Sequence, residues 1–412
     1  MTLVGILANT TITANIPDIL DDLGRGAGSA GPLVSAGALP GVVLAPVIGI
    51  LADRFGRRPI LLPCLVAFGT GALAATVAPT FWTLVAARLL QGVGGAGLIN
   101  LAIVLIGDNW SGADRTRLIG RNSAVLTAAL AVLPTAAGLI AELGNWRWSI
   151  ALGLVAFPVA AVAWRRLPDH RPSSGRTLER QLRDAATLVR QPVMVFVFVA
   201  GFLLFLVIFG VFLTALPVHL EERFGLGPGA RGLVLSAFAI GATIVSFNLG
   251  SIRAVVPLRP LLVGSSLFIA LASLGVALAP SLILVVVAVL LYGFGDGSII
   301  PALQDVATSI PPDEQRASVM AVWVSAVRGG QTAGPLGAAA LFAATSTETA
   351  MLVGAGLFAA VGVLFLVGPI DDRVLSSSSG ARADAGRIAR GSGHERSDGN
   401  RGAADRGHTD RR

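Results

Sequence analysis

Charged and amide side chains stand inside long apolar runs of this chain, and each needs a reason to be there. Arg88 is followed by Gln91, and Arg328 by Gln331; the i, i+3 spacing puts each pair on one helical face. Asp296, within Tyr292-Gly-Phe-Gly-Asp296-Gly-Ser, is the one carboxylate well inside such a run, with Asp305 and Asp108 nearer the run ends. A guanidinium at mid-bilayer costs at least about 2.5–3.5 kcal/mol on insertion scales. Both arginines must therefore face water, protein or a bound group. Burial and a neighbouring arginine act on a carboxyl in opposite directions, which makes Asp296 a candidate proton carrier. The alternative is a static ion pair between Asp296 and either arginine. Asn9 and Thr13, at i and i+4 in the first run, either line water or hydrogen-bond to another helix.

Other chemistry is thinly supplied. All 31 basic residues are arginine. With no lysine there is no Schiff base and no Walker A site, so ATP coupling is not expected. The single cysteine, Cys64, sits in an apolar run and reads as a buried, inert thiol. The four histidines (His170, His219, His394 and His408) show no metal-ligand spacing, and no span carries HExxH or GxSxG. No cofactor or metal site is expected, and the chain does not read as an enzyme.

The elements that must position these groups are membrane helices. The chain is 54% hydrophobic and 13% charged, with mean hydropathy +0.75, against about 25% charged residues in soluble domains. About 20 apolar residues cross a bilayer. Twelve such runs are predicted, at 1–19, 31–52, 59–78, 80–106, 118–141, 148–167, 193–217, 230–251, 259–279, 281–303, 315–343 and 348–369. The fold class is an all-α polytopic membrane protein. No basic segment precedes the first run, which reads as a spanning helix and not a cleaved signal peptide. Residues 168–192 form a basic polar loop. Residues 371–412, rich in Ser, Gly, Arg and Asp, hold too few apolar groups to build a core and are expected to be a disordered tail.

Arginine counting orients the chain. With the N-terminus inside, the inner loops and tail hold 25 arginines and the outer loops 4; without the tail the contrast is 16 to 4. The positive-inside rule then puts both termini in the cytoplasm, as a multi-pass protein of the plasma membrane. The arginines cluster beside apolar runs, so the net charge of +7 does not imply nucleic acid.

The chain also repeats. At an offset of 201, Ser35-Ala36 meets Ser236-Ala237, Gly49 meets Gly250, Arg58-Pro59 meets Arg259-Pro260, and Ala78-Pro79 meets Ala279-Pro280. Gly92 and Gly94 meet Gly293 and Gly295, Arg115 meets Arg316, and Pro134 meets Pro335. Two parallel, pseudo-symmetric six-helix bundles follow, 1–167 and 193–370, joined by the loop 168–192, with a substrate site expected between them.

Gly49-Ile-Leu-Ala-Asp53-Arg54-Phe-Gly56-Arg57-Arg58 resembles the major facilitator superfamily signature between helices 2 and 3. Arg88-Leu-Leu-Gln91-Gly92-Val-Gly94 resembles that superfamily's helix 4 motif, associated with proton-coupled members. Arg328-Gly-Gly-Gln331-Thr-Ala-Gly334-Pro335 resembles a glycine-proline packing motif of its drug exporters, whereas Leu133-Pro-Thr-Ala-Ala-Gly138 departs from their helix 5 pattern. The resemblance covers residues 1–370 and is nearest to twelve-helix bacterial and archaeal multidrug efflux proteins. It implies that Asp53, an acid at a helix C-terminus where the dipole disfavours it, pairs across the two halves and locks the outward-facing state. Arg57 and Arg58 could equally be plain cytoplasmic anchors. The second half carries Ala254 in place of Asp53, leaving one such latch.

Two functions compete: proton-driven export of hydrophobic small molecules, and import of a small anionic metabolite gripped by Arg88 and Arg328. The aromatic run Val195–Phe212 could touch an apolar drug or face lipid. The expected partners are a lipophilic small molecule and the bilayer, the energy source is a proton gradient, and a monomer is expected.

Overall fold

The computed structural model describes residues 1–167, 191–310 and 316–370. The expected central loop and tail lie outside the described residues, apart from Gln191 and Pro192. Among the described residues every regular element is helical. We number the long helices α1 (Thr2–Thr13 with Ile16–Asp22), α2 (Ala30–Phe55), α3 (Arg57–Thr76), α4 (Phe81–Asn109), α5 (Gly112–Leu143) and α6 (Trp146–Arg166). They continue as α7 (Pro192–Phe224), α8 (Pro228–Val255), α9 (Leu258–Leu278), α10 (Leu282–Ser309), α11 (Arg316–Ala344) and α12 (Thr347–Val367). Ten of these are long and apolar enough to cross a membrane, and α1 would be an eleventh as a bent pair. The remaining one, α11, runs 29 residues alongside α2 and α7.

Two sequence expectations change in detail. The first run is not one straight helix but turns by 63° after Thr13. Its side chains compete for the backbone: the Asn15 amide donates to the Thr11 carbonyl (2.8 Å), and the hydroxyls of Thr10, Thr11 and Thr13 each bond to a carbonyl four residues back. Such back-bonding bends helices, and Pro17 lacks the N–H that would continue the ladder. The charged stretch 53–58 is also barely a loop. Asp53 and Arg54 belong to the last turn of α2, Gly56 alone breaks the helix at φ +98°, and α3 starts at Arg57. That left-handed φ is one glycine tolerates and other residues avoid.

The twelve helices pack as a pattern stated twice. The neighbours α2 and α4, α3 and α4, α3 and α6, and α1 and α5 recur as α8 and α10, α9 and α10, α9 and α12, and α7 and α11. The close approaches repeat residue for residue at the offset of 201. A side chain at Gly92 would strike the Gly37 carbonyl, and one at Gly293 the Phe238 carbonyl; Gly94 is pressed on the Cys64 carbonyl as Gly295 is on that of Ser265. Small residues at such crossings let helix backbones touch where lipid offers no hydrophobic drive for association.

The halves meet along two seams, α2 with α11 and α5 with α8. Here too the contacts come in pairs. Gly28 abuts Ala343 while Gly229 abuts Glu142, and Gly31 abuts Pro335 while Gly232 abuts Pro134. The Ser35 hydroxyl donates to the Thr332 carbonyl (2.6 Å), and Ser236 shares a hydrogen bond with Thr135 (2.8 Å). All these contacts lie toward the end that arginine counting assigns to the exterior. The buried apolar core divides the same way. One cluster runs from α7–α12 into the outer ends of α1, α2, α4 and α6, whereas the inner ends of α1–α4 and α6 form a separate cluster. The two halves are thus fused at the outer end and separate toward the inner one.

Candidate substrate and gating sites

Along α2 and the turn before it, the contacts with α11 step inward by three to six residues at a time: Gly28 on Ala343, Gly31 on Pro335 and Ala339, Ser35 on Thr332, and Gly41 on Arg328. Arg328 is the innermost of these, its Cδ and Nε 3.1 Å from where a Gly41 side chain would begin. Arg88 of α4 lies against Gly37, one turn outward on the same helix. The sequence separates these two arginines by 240 residues; the fold sets them against neighbouring turns of α2, beneath the outer part of the seam. From the helix starts, Gly37 and Gly41 lie about 10 and 16 Å below the outer end.

Their hydrogen-bond partners are neutral. Arg88 Nη1 donates to Gln91 Oε1, and Nη2 to Asn9 Oδ1 at 3.4 Å. Arg328 Nη1 donates to Gln331 Oε1 at 3.1 Å. Arg88 is 1% exposed and its Nε–H finds no acceptor. Among the described residues no carboxylate forms an ion pair with either guanidinium, so a static pair with Asp296 is not what holds them. Asn9 joins this site. Thr13 does not: it is buried, and its hydroxyl donates to the Asn9 carbonyl (2.8 Å).

Asp296 is buried at the middle of α10. One turn outward is Tyr292, whose ring stacks on Phe212 (5.2 Å between centroids) and meets Phe238 and Phe358. The Tyr292 hydroxyl is buried without a partner. Phe212 lies in a π-helical stretch of α7, Ile208–Ala215, a widened turn of the kind that often marks functional positions. Gly334 fits closely against α7, at Leu206 and Gly210.

At the inner end, Arg57 bridges two acids of its own half: Nη1 to Asp53, and Nε to Asp108 Oδ2 at 2.7 Å. Arg58 caps the ring of Trp164 at 4.8 Å, and Arg54 lies over Phe55. Gly49 is exposed and faces open space, as does its repeat partner Gly250.

The outer end holds a cluster that sequence reasoning missed. Arg231, at the start of α8, is 1% exposed and forms an ion pair with Asp18 of α1 across the seam; its Nη1 lies 3.8 Å from Glu221 of α7. Beside it, Glu142 of α5 accepts a hydrogen bond from the Gly229 N–H (3.2 Å). Counted only as an outer-loop arginine, Arg231 gave one local signal: it occupies the repeat position of Ala30, so its charge has no counterpart.

The family model described as Major Facilitator Superfamily matches residues 1–316 and again 209–399. The class G tetracycline resistance protein of Vibrio anguillarum is 29% identical over 342 residues, 78% of this chain and 82% of that protein. The multidrug transporter protein MdtP of Bacillus subtilis is 29% identical over 169 residues, 41% of this chain and 31% of that protein. The chain spans about a third or less of the length of the first curated relatives it matches. Among solved structures, a bacterial homolog of the human lysosomal transporter Spinster, inward-facing and occupied, superposes with a TM-score of 0.68 at 17% identity, covering 92% of this chain and 94% of that one. At that identity the likeness speaks to fold alone.

Proposed function

Because this chain belongs to the major facilitator superfamily, we propose that it is a secondary transporter that exports lipophilic small molecules by alternating access, driven by the proton gradient. The observation that carries the reading is the uneven seam. Paired contacts close the outer end, while the inner ends keep separate cores. A rocking of the two halves would exchange that closure from one end to the other. Asp296, the acid at the middle of a described helix, is the group to which we assign proton exchange, with Arg88 and Arg328 beneath the outer seam assigned to substrate. The multidrug-transporter and tetracycline-resistance names of two relatives support the direction of transport. The arginine count supports a plasma-membrane protein with both termini in the cytoplasm.

The test is transport in sealed vesicles. Efflux of a lipophilic dye should collapse with an uncoupler, and adding substrate should change internal pH. Dye movement indifferent to the uncoupler would remove proton coupling. The rival, import of a small anionic metabolite, predicts uptake with co-entry of protons in the same vesicles.

A further inference from the structure

We propose that the Arg88–Arg328 pair is an anion subsite, and that the transported compound is a lipophilic organic acid, a carboxylate or sulfonate on an apolar body. This rests on the export reading above and names its substrate class.

The first ground is charge. Two guanidiniums touch successive turns of α2, with side-chain positions 5–6 Å apart on such turns, so the groups lie within about 12 Å of one another. Glutamine and asparagine oxygens satisfy part of their hydrogen bonding and none of their charge. Buried charges are ordinarily paired, and these two are not paired with any described carboxylate. A third cation entering the cleft would be repelled. A neutral compound would leave both charges as they stand. An anion supplies the countercharge that is missing.

The second ground is shape. A side chain at Gly37 or Gly41 would occupy the space the arginines use. The glycines therefore bring both cations against the α2 backbone. Arg88 is fully buried, whereas Arg328 keeps part of its surface exposed at mid-helix, where it faces the other half across the seam. That surface is where an acid head would dock. The rest of the molecule would meet apolar wall. From Ala30 to Ala52 the only side chain of α2 with a polar atom is Ser35, and its hydroxyl is already committed to Thr332.

Arginine suits the task better than other cations. It stays charged when buried, and its planar fork matches the two oxygens of a carboxylate. The i+3 glutamines would hold the forks in place while the site is empty.

The test uses the purified full chain in an uncharged detergent, so that no anionic lipid competes. The probe is radiolabelled 2-naphthylacetate, competed with unlabelled 2-naphthylacetate, 2-(2-naphthyl)ethylamine, 2-naphthylethanol and sodium chloride. Saturable binding is expected, displaced at least tenfold more effectively by the acid than by the amine, the alcohol or chloride. Equal displacement by the amine or the alcohol, by chloride, or no saturable binding, overturns the proposal without any variant. Arg328→Gln, at the partly exposed position, should weaken binding at least tenfold, while Arg328→Lys, which keeps the charge and loses the fork, should recover part of it. A folded Arg328→Gln protein that binds as wild type also overturns it. A neutral lipophilic dye, followed in proteoliposomes, separates this inference from the reading beneath it. Dye export without anion binding defeats the subsite alone, and no export of either compound defeats the export reading.

Discussion

Arg231 of α8 reaches across the outer seam to Asp18 of α1 and is all but sealed from solvent there. The pair ties the two halves together at the end where they are already fused. Removing one partner of a fully buried pair costs about 3–5 kcal/mol; Asp18 is about a third exposed and Glu221 stays 3.8 Å from Arg231, so the cost here is smaller. Here the cost falls on the outer-closed state, since the seam is what buries Arg231. Asp18→Asn should therefore shift the resting protein toward an outer-open form. Spin labels at Leu143 and Leu233, exposed positions on the outer ends of α5 and α8, should report longer distances in the variant. An unchanged distance distribution would mean that the pair does not hold the gate.

Gly49 and Gly250 occupy equivalent places on the inner ends of α2 and α8, and neither has a neighbour within 4 Å of where a side chain would start. Glycines elsewhere on the same helices, such as Gly31 and Gly232, sit hard against backbone. The empty pair makes sense if the inner ends come together in another state. Gly49→Trp should then stop transport while leaving expression and thermal stability near wild type. Normal transport by this variant would show that the inner ends never close on that face.

The repeat explains why so much of this architecture was legible. Matches at one offset over both halves required one module used twice, and the structure returns the same contacts at the same offset: Gly31 on Pro335, then Gly232 on Pro134. Apolar run length gave the helices, and the polar groups stranded in them gave Arg88, Gln91, Asp296, Arg328 and Gln331. What could not be read was anything that depends on which state the protein occupies. The resemblance implied that Asp53 pairs across the halves in the outward-facing state; in the state described here it forms an ion pair with Arg57 at the start of α3. Arg231 was missed for the opposite reason. An arginine at a helix start on the outer side looks solvated until tertiary packing buries it.

Gly94 tests the packing account most directly. A methyl at this position would meet the backbone of α3, at Phe68 N and the Cys64 carbonyl, which cannot move aside as a flexible side chain can. Overpacking of this kind costs about 1–3 kcal/mol. Gly94→Ala should lower the melting temperature of the detergent-solubilised protein. Gly356→Ala in α12 faces open space and is the matched control; there alanine should be neutral or slightly stabilising, by about 0.5–1 kcal/mol. Equal melting temperatures for the two variants would remove the close-approach argument.

Asp53 separates a gate from an anchor because its local and global roles predict different losses. Arg57 is shared between Asp53 and Asp108, and the two carboxylates are each more than a third exposed. Exposed pairs contribute about 0–1 kcal/mol, and Arg57 keeps Asp108 when Asp53 is neutralised. The dipole at the end of α2 also disfavours an anion at this position, so removing the charge relieves an unfavourable term. Asp53→Asn should thus leave folding and membrane insertion unharmed. If the carboxylate steadies the state in which the inner ends meet, transport should nevertheless slow severalfold in vesicles. Arg58→Gln, which removes a cation held over Trp164 within the same half, should affect transport far less. Parallel small losses from both variants would assign the whole stretch to membrane anchoring.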